Sequence, residues 1–147
     1  MQGYQAAVGT RDYVILLDIR TKRAYTEVQL LTPDYSVRSL QFQDQLLSCG
    51  SGNGWLSFFD LRAMDFVEME LSQDKGKKVL LDNHIEVGGG WLDTEGFYRE
   101  YFEGVAVHNA LYAHCWDPGL HRLFICGGPL PMGLRGCYMG IWQDRKS

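Results

Sequence analysis

The chain repeats itself, and that limits its fold more than any other feature. Three segments align. The first runs Ala7-Val8-Gly9-Thr10, then Tyr13-Val14-Ile15-Leu16-Leu17-Asp18-Ile19-Arg20. The second runs Ser48-Cys49-Gly50-Ser51, then Trp55-Leu56-Ser57-Phe58-Phe59-Asp60-Leu61-Arg62. The third runs Ile125-Cys126-Gly127-Gly128, then Cys137-Tyr138-Met139-Gly140-Ile141-Trp142-Gln143. Each has a short apolar strand ending on glycine and a small residue, a loop, and a second apolar strand closing on a polar residue. Asp18 and Asp60 are 42 positions apart. Between these segments, Val67, Met69 and Leu71 alternate with Glu68 and Glu70, as in a half-exposed outer strand. Ala24 to Leu30 alternates in the same way.

A repeat of 40–45 residues built from short strands is the period of WD-type propeller blades. The sequence therefore predicts an all-β fold, a partial WD-repeat β-propeller of about three blades with one helix-bearing insertion. The blades span about 4–31, 35–71 and 109–143, and the insertion about 72–108. In the second blade, Tyr35 to Phe42 reads as the innermost strand, Leu46 to Gly50 and Trp55 to Asp60 as the middle pair, and Phe66 to Leu71 as the outer strand. In the insertion Asp93 is placed to cap a short helix, with Phe97, Tyr98, Tyr101 and Phe102 on one face. The third blade is expected to lack its outer strand. Closed propellers need roughly four to eight blades. Three leave sheet faces open, so the chain is expected to be the C-terminal piece of a longer parent, or to complete its ring with another copy or chain.

Composition narrows the function. The net charge is −4, with 14 Lys+Arg against 18 Asp+Glu, which argues against a non-specific nucleic-acid binder. The longest apolar run, Tyr13 to Leu17, is far short of a membrane span, and no secretory signal is visible. Four cysteines, at 49, 115, 126 and 137, form no CxxC pair and are expected as reduced, packed thiols in the cytoplasm or nucleus. Gly50-Ser51-Gly52-Asn53-Gly54 is a strand-to-strand turn, because no Lys-Ser/Thr follows as in a phosphate loop. His114 and Cys115 face opposite ways in a strand and make no nucleophile–base dyad. Cys126, Cys137 and His121 lack zinc spacing. No catalytic residue, metal site or cofactor is expected.

Arg38 stands just before Leu40 and Phe42, where the connection between blades enters an inner strand near the channel mouth. It is placed either to hold a carboxylate bidentately or to bond neighbouring loop carbonyls. Arg11 and Arg135 fall in loops on the same expected face and would add a basic rim. Asp18-Ile19-Arg20 and Asp60-Leu61-Arg62 fall in turns on the opposite face, where each Arg is placed to pair with its Asp or meet a partner.

An Asp-x-Arg after the third strand of a WD blade resembles the box of cullin-4 ubiquitin-ligase substrate receptors. The second copy, with Phe59 in the Trp place, matches better than the first, with Leu17 there. Further pieces match one receptor family: Ser36 to Phe42, Gly50 to Gly54, Gly90-Trp91-Leu92, Tyr101-Phe102, Asn109 to Cys115, Gly127 to Pro131 and Tyr138 to Trp142. The chain resembles the C-terminal blades of the DDB1- and cullin-4-associated factor 12 family over nearly its whole length. The resemblance implies a non-catalytic receptor that docks on the adaptor DDB1 and presents proteins with acidic, Glu-Glu C-termini for ubiquitination. Arg38, Arg11 and Arg135 would then meet the substrate, and Asp60, Arg62, Asp18 and Arg20 the adaptor. The alternative is a generic WD-repeat interaction scaffold unrelated to ubiquitin.

Overall fold

The computed structural model describes residues 5–31, 34–67, 69–72, 78–81, 84–86, 90–117, 119 and 122–143. Gly88, Gly89 and His121 lie outside these. The fold is a row of antiparallel sheets. The first sheet is β1 (Gln5–Gly9), β2 (Tyr13–Asp18) and β3 (Arg23–Gln29), in that order. The second is β4 (Val37–Gln43), β5 (Leu46–Ser51) and β6 (Trp55–Asp60), with β7 (Asp65–Phe66) on the edge of β6. A hairpin of β8 (Met69–Ser72) and β9 (Lys78–Leu81) follows, and β10 (His84–Glu86) then returns to β6. The third sheet is β12 (Asn109–Asp117), β13 (Arg122–Pro129) and β14 (Gly136–Gln143), with β11 (Trp91–Leu92) on the edge of β14.

The partial propeller expected from the repeat is therefore present, with two corrections at its outer rim. The strand expected over Phe66–Leu71 is built from two pieces. β7 pairs with Phe59 and Asp60, β10 pairs with Trp55 to Ser57, and the chain between them leaves the sheet to make the β8–β9 hairpin. The third sheet does not end at its third strand either. Trp91 and Leu92, from the insertion, pair with Cys137 and Gly136. In both places a distant segment takes an edge that would otherwise stand unpaired.

The core lies between sheets. Each strand alternates its faces, so each sheet has one face toward the sheet before it and one toward the sheet after. Val14, Leu16 and Val28 of the first sheet, with Leu30 just beyond it, pack on Leu47, Cys49 and Phe59 of the second. Leu56 and Phe58, on the other face of β6, pack on Leu111, Leu123 and Ile125 of the third. Two glycines set how closely the sheets approach. A Cβ on Gly9 would overlap Val37, and one on Gly50 would overlap Leu111, each about 2.5 Å away or less. A branched side chain at the start of each inner strand thus fills the space left by a glycine in the preceding sheet.

Only Cys49 is the packed thiol expected; burial pushes it up to about 12. Cys115, Cys126 and Cys137 are exposed. The alignment of Cys49-Gly50 with Cys126-Gly127 is one residue out of register. Cys49 pairs with Ser57, and the residue pairing with the equivalent Gly140 is Ile125. Cys126 therefore points out of the face opposite to Cys49's. The helix α1 (Phe97–Tyr101) forms, with the Phe97 ring 4.9 Å from Tyr101 and 5.8 Å from Phe102. Asp93 does not cap it; its carboxylate accepts from Glu95 N–H, one turn earlier.

A buried polar cluster pins the second sheet to the third. The Ser48 hydroxyl donates to the Gln41 carbonyl, so it must accept from Trp116 Nε1–H at 3.3 Å and from His114 Nε2–H at 2.6 Å. The His114 amide donates to Ser39 Oγ, whose own hydrogen then goes to His114 Nδ1 at 2.6 Å. Counting donors leaves one tautomer: neutral imidazole with the proton on Nε2. Burial lowers the His114 pKa to about 4. Protonation of Nδ1 would take away the acceptor of the Ser39 hydroxyl hydrogen.

The folded state disfavours the imidazolium, so stability is full above about pH 6.5 and is lost as pH falls toward 4, by on the order of 2–3 kcal/mol. Thermal melts from pH 7 to pH 4 should show a midpoint falling roughly 5–10 °C further in the parent chain than in His114→Gln. Parallel curves for the two would remove His114 from the acid response.

Candidate functional site

One rim of the sheets gathers the starts of the inner strands and the β1–β2, β5–β6 and β13–β14 connections. Backbone bonds stitch these together, the one between Val37 and Thr10 crossing from the second sheet to the first. Val37 N–H donates to the Thr10 carbonyl at 3.0 Å, and Gly52 N–H to Tyr35 at 3.1 Å. Leu130 N–H donates to His108 at 3.0 Å, and the Tyr35 and His108 rings meet edge-on at 5.6 Å. Asp34 and Ser36 have φ of 80° and 63°, so the chain turns sharply as it enters β4. The Gly52–Gly54 turn is closed by Gly54, at φ 86°, and by Asn53, whose side chain accepts from Trp55 N–H.

Arg38 sits on this rim as the extra residue of a β-bulge. Val37 pairs with Ser51 and Ser39 with Gly50, so Arg38 is unmatched and its side chain is exposed. Its guanidinium has no ion pair among the described residues. Arg11 differs. It lies in the β1–β2 turn and is paired with Asp34 at 3.0 Å, both side chains being largely exposed. Arg135 lies in the β13–β14 connection, its carbonyl accepting from Asp93 N–H. It lines a groove shared with Asp93, Glu95 and Phe97, so acidic groups stand beside it. The three arginines expected on one rim are all on it: Arg11 is paired with Asp34, Arg135 shares its groove with Asp93 and Glu95, and Arg38 makes no ion pair among the described residues.

Two residues of this rim escape a reading of the sequence. Asp34 gives no sign of neutralising an arginine 23 positions away. Tyr112 is the unmatched residue of a second bulge, between Leu111 and Ala113 on inner strand β12. Its ring is exposed and its hydroxyl donates to the Pro129 carbonyl at 3.2 Å. A bulge breaks the two-residue alternation on which sequence reading depends.

The opposite rim carries the Asp-x-Arg turns. Asp18 accepts from Arg20 N–H at 2.9 Å and from its guanidinium at 3.3–3.4 Å. These bonds to Arg20 hold the Asp18 carboxyl below its ordinary range. Asp60 accepts from the backbone of Arg62 and Ala63 in the same kind of turn. Here, though, the guanidinium of Arg62 is exposed and has no ion pair among the described residues. One box is closed on itself and the other presents a free cation. Among the described residues no group of three His, Cys, Asp or Glu side chains is placed to hold a metal, and no helix is long and apolar enough to cross a membrane. Within the Ser39–His114–Ser48 cluster, Ser48 is 1% exposed between two sheets, out of reach of a substrate.

Residues 4–143 match the family model of the DDB1- and CUL4-associated factor 12 beta propeller. The chain belongs to this family. The matched range takes in all three sheets and the segment between the second and third that supplies β10, β11 and α1.

If Arg20 is what lowers Asp18, Arg20→Ala should return the Asp18 carboxyl toward the ordinary value near 3.8. Carboxyl-detected NMR titration measures this directly. An unmoved Asp18 would show that the turn's backbone, not the guanidinium, sets its acidity.

Proposed function

We propose that this member of the family is a non-catalytic receptor piece of a cullin-4 ubiquitin ligase, working in the cytoplasm and nucleus. It takes proteins with acidic, Glu-Glu C-termini on the Arg38 rim and meets the adaptor DDB1 through the opposite rim. The observation that carries the reading is the state of the arginines. Arg38 and Arg62 are exposed cations without an ion pair among the described residues, on opposite rims of one propeller, whereas Arg11 and Arg20 already hold carboxylates. An acidic tail brings two side-chain carboxylates and a terminal one to a chain of net charge −4, so a local unpaired cation is what it needs. The bulge supplies it, since it turns Arg38 out of the sheet at a rigid point of the rim.

One charge-assisted contact is worth roughly 1.5–3 kcal/mol. Arg38→Ala should therefore weaken a Glu-Glu-ending peptide by about ten- to a hundredfold, and Arg38→Lys by less, because lysine keeps the charge but not the fork. Arg11→Ala should cost little, its charge being spent on Asp34. Calorimetric titration at two salt concentrations decides it. Equal affinities for all variants, or no dependence on the terminal glutamates, would reject the assignment.

On the other rim, Arg62→Ala should reduce co-purification of DDB1 with the tagged chain while the melting temperature holds, and Arg20→Ala should reduce it less. Undiminished recovery with Arg62→Ala would take that turn out of the adaptor surface.

A further inference from the structure

Inner strands β4 and β12 carry the same irregularity at the same place. Val37 and Leu111 each fill the space left by a glycine of the preceding sheet, Gly9 and Gly50. The next residue along, Arg38 on β4 and Tyr112 on β12, is the extra residue of a bulge, and both side chains are exposed. The residue after that rejoins the ladder, Ser39 opposite Gly50 and Ala113 opposite Cys126.

The two bulges also stand beside each other. Gly50, which Leu111 covers, is the pairing partner of Ser39. Ser39, one residue past Arg38, holds His114, two residues past Tyr112. Its hydroxyl meets Nδ1 at 2.6 Å and accepts from the His114 amide at 3.2 Å. β4 and β12 are thus fastened at the residues next to both bulges, and Arg38 and Tyr112 occupy neighbouring places on one rim.

Their chemistry differs. The Tyr112 hydroxyl hydrogen goes to the Pro129 carbonyl at 3.2 Å, so none is left for a carboxylate. What remains is the lone-pair side of the oxygen and a ring that is 45% exposed. On a peptide, the group that answers a lone pair is a backbone N–H, and a chain end carries such groups within a residue or two of its carboxylates. A guanidinium attracts any anion, whereas an acceptor beside it disfavours a second carboxylate and admits an amide.

We propose that Tyr112 is a second residue of the tail site, its hydroxyl accepting a backbone N–H from the last residues of the tail while Arg38 holds a carboxylate. The assignment rests on the reading of Arg38 given above and adds a reason for the site to take a peptide end rather than any anion. The bond to Pro129 aims the oxygen in advance, so little ordering is left to the moment of binding.

The test is calorimetric titration of the full chain with a Glu-Glu-ending peptide and with copies in which each of the last three amides is replaced in turn by an ester. Tyr112→Phe, which keeps the ring, should weaken the unmodified peptide about three- to tenfold. One ester copy should lose about as much on the parent chain and nothing further on Tyr112→Phe, because both changes remove the same bond. A tyrosine that only braced the end of β13 would weaken every peptide alike. Tyr112→Phe binding the unmodified peptide as tightly as the parent, or each ester costing the same in both chains, would overturn the assignment. Arg38→Ala separates the two claims. If it loses affinity while Tyr112→Phe does not, the role of Tyr112 falls alone; if neither loses any, the tail reading falls with it. Should Tyr112→Phe not fold, the parent chain decides: three ester copies that all bind like the unmodified peptide would overturn the proposal.

Discussion

Everything in this molecule hangs on one contact, made twice: the apolar face of one sheet covered by the next. No sheet has a core of its own. Val14 and Leu16 are buried only because Leu47, Cys49 and Phe59 stand opposite them, and Leu56 and Phe58 only because of Leu111, Leu123 and Ile125. Both contacts are set by a glycine on one side and a branched residue on the other, so the spacing between sheets is a steric matter before it is an energetic one. His114 adds direction to the second contact. Hydrophobic faces tolerate some sliding, whereas a histidine with both nitrogens committed to serines on a neighbouring sheet does not.

The two rims follow from this stacking. Because the sheets stand side by side, the entry to β4 lies next to the β1–β2 turn of the sheet before it, locked there by the bond from Val37 N–H to the Thr10 carbonyl, and the Tyr35 ring of the second sheet meets His108 at the entry to β12. Such a rim is a rigid place to mount a side chain. Bulges at Arg38 and Tyr112 use that rigidity by turning one residue per inner strand away from the alternation. The surface chemistry is then decided by neutralisation. An arginine beside an aspartate, such as Arg11 or Arg20, contributes little attraction to a distant anion, while Arg38 and Arg62 keep theirs.

Much of this was legible in the sequence. The 42-residue repeat and the alternation of Tyr13–Asp18 and Trp55–Asp60 define the sheets and their faces, and the Asp-x-Arg turns stand where they were expected. The losses have physical causes. Outer strands are weakly specified by pattern, so the exchange of Phe66–Leu71 for β7 and β10 left no mark. The third sheet's register slipped by one because Cys-Gly recurs there by coincidence, and a slip of one reverses every side chain. Bulges, and ion pairs between distant loops, need coordinates.

The central claim is that the Arg38 rim, not the Asp60–Arg62 rim, is where an acidic tail lands. Amide hydrogen exchange with and without a Glu-Glu-ending peptide tests it most directly. The account predicts added protection at Val37 to Ser39 and at Gly52 to Gly54, with Leu61 to Met64 unchanged. Protection confined to the Leu61 to Met64 turn, or spread evenly over both rims, would contradict it.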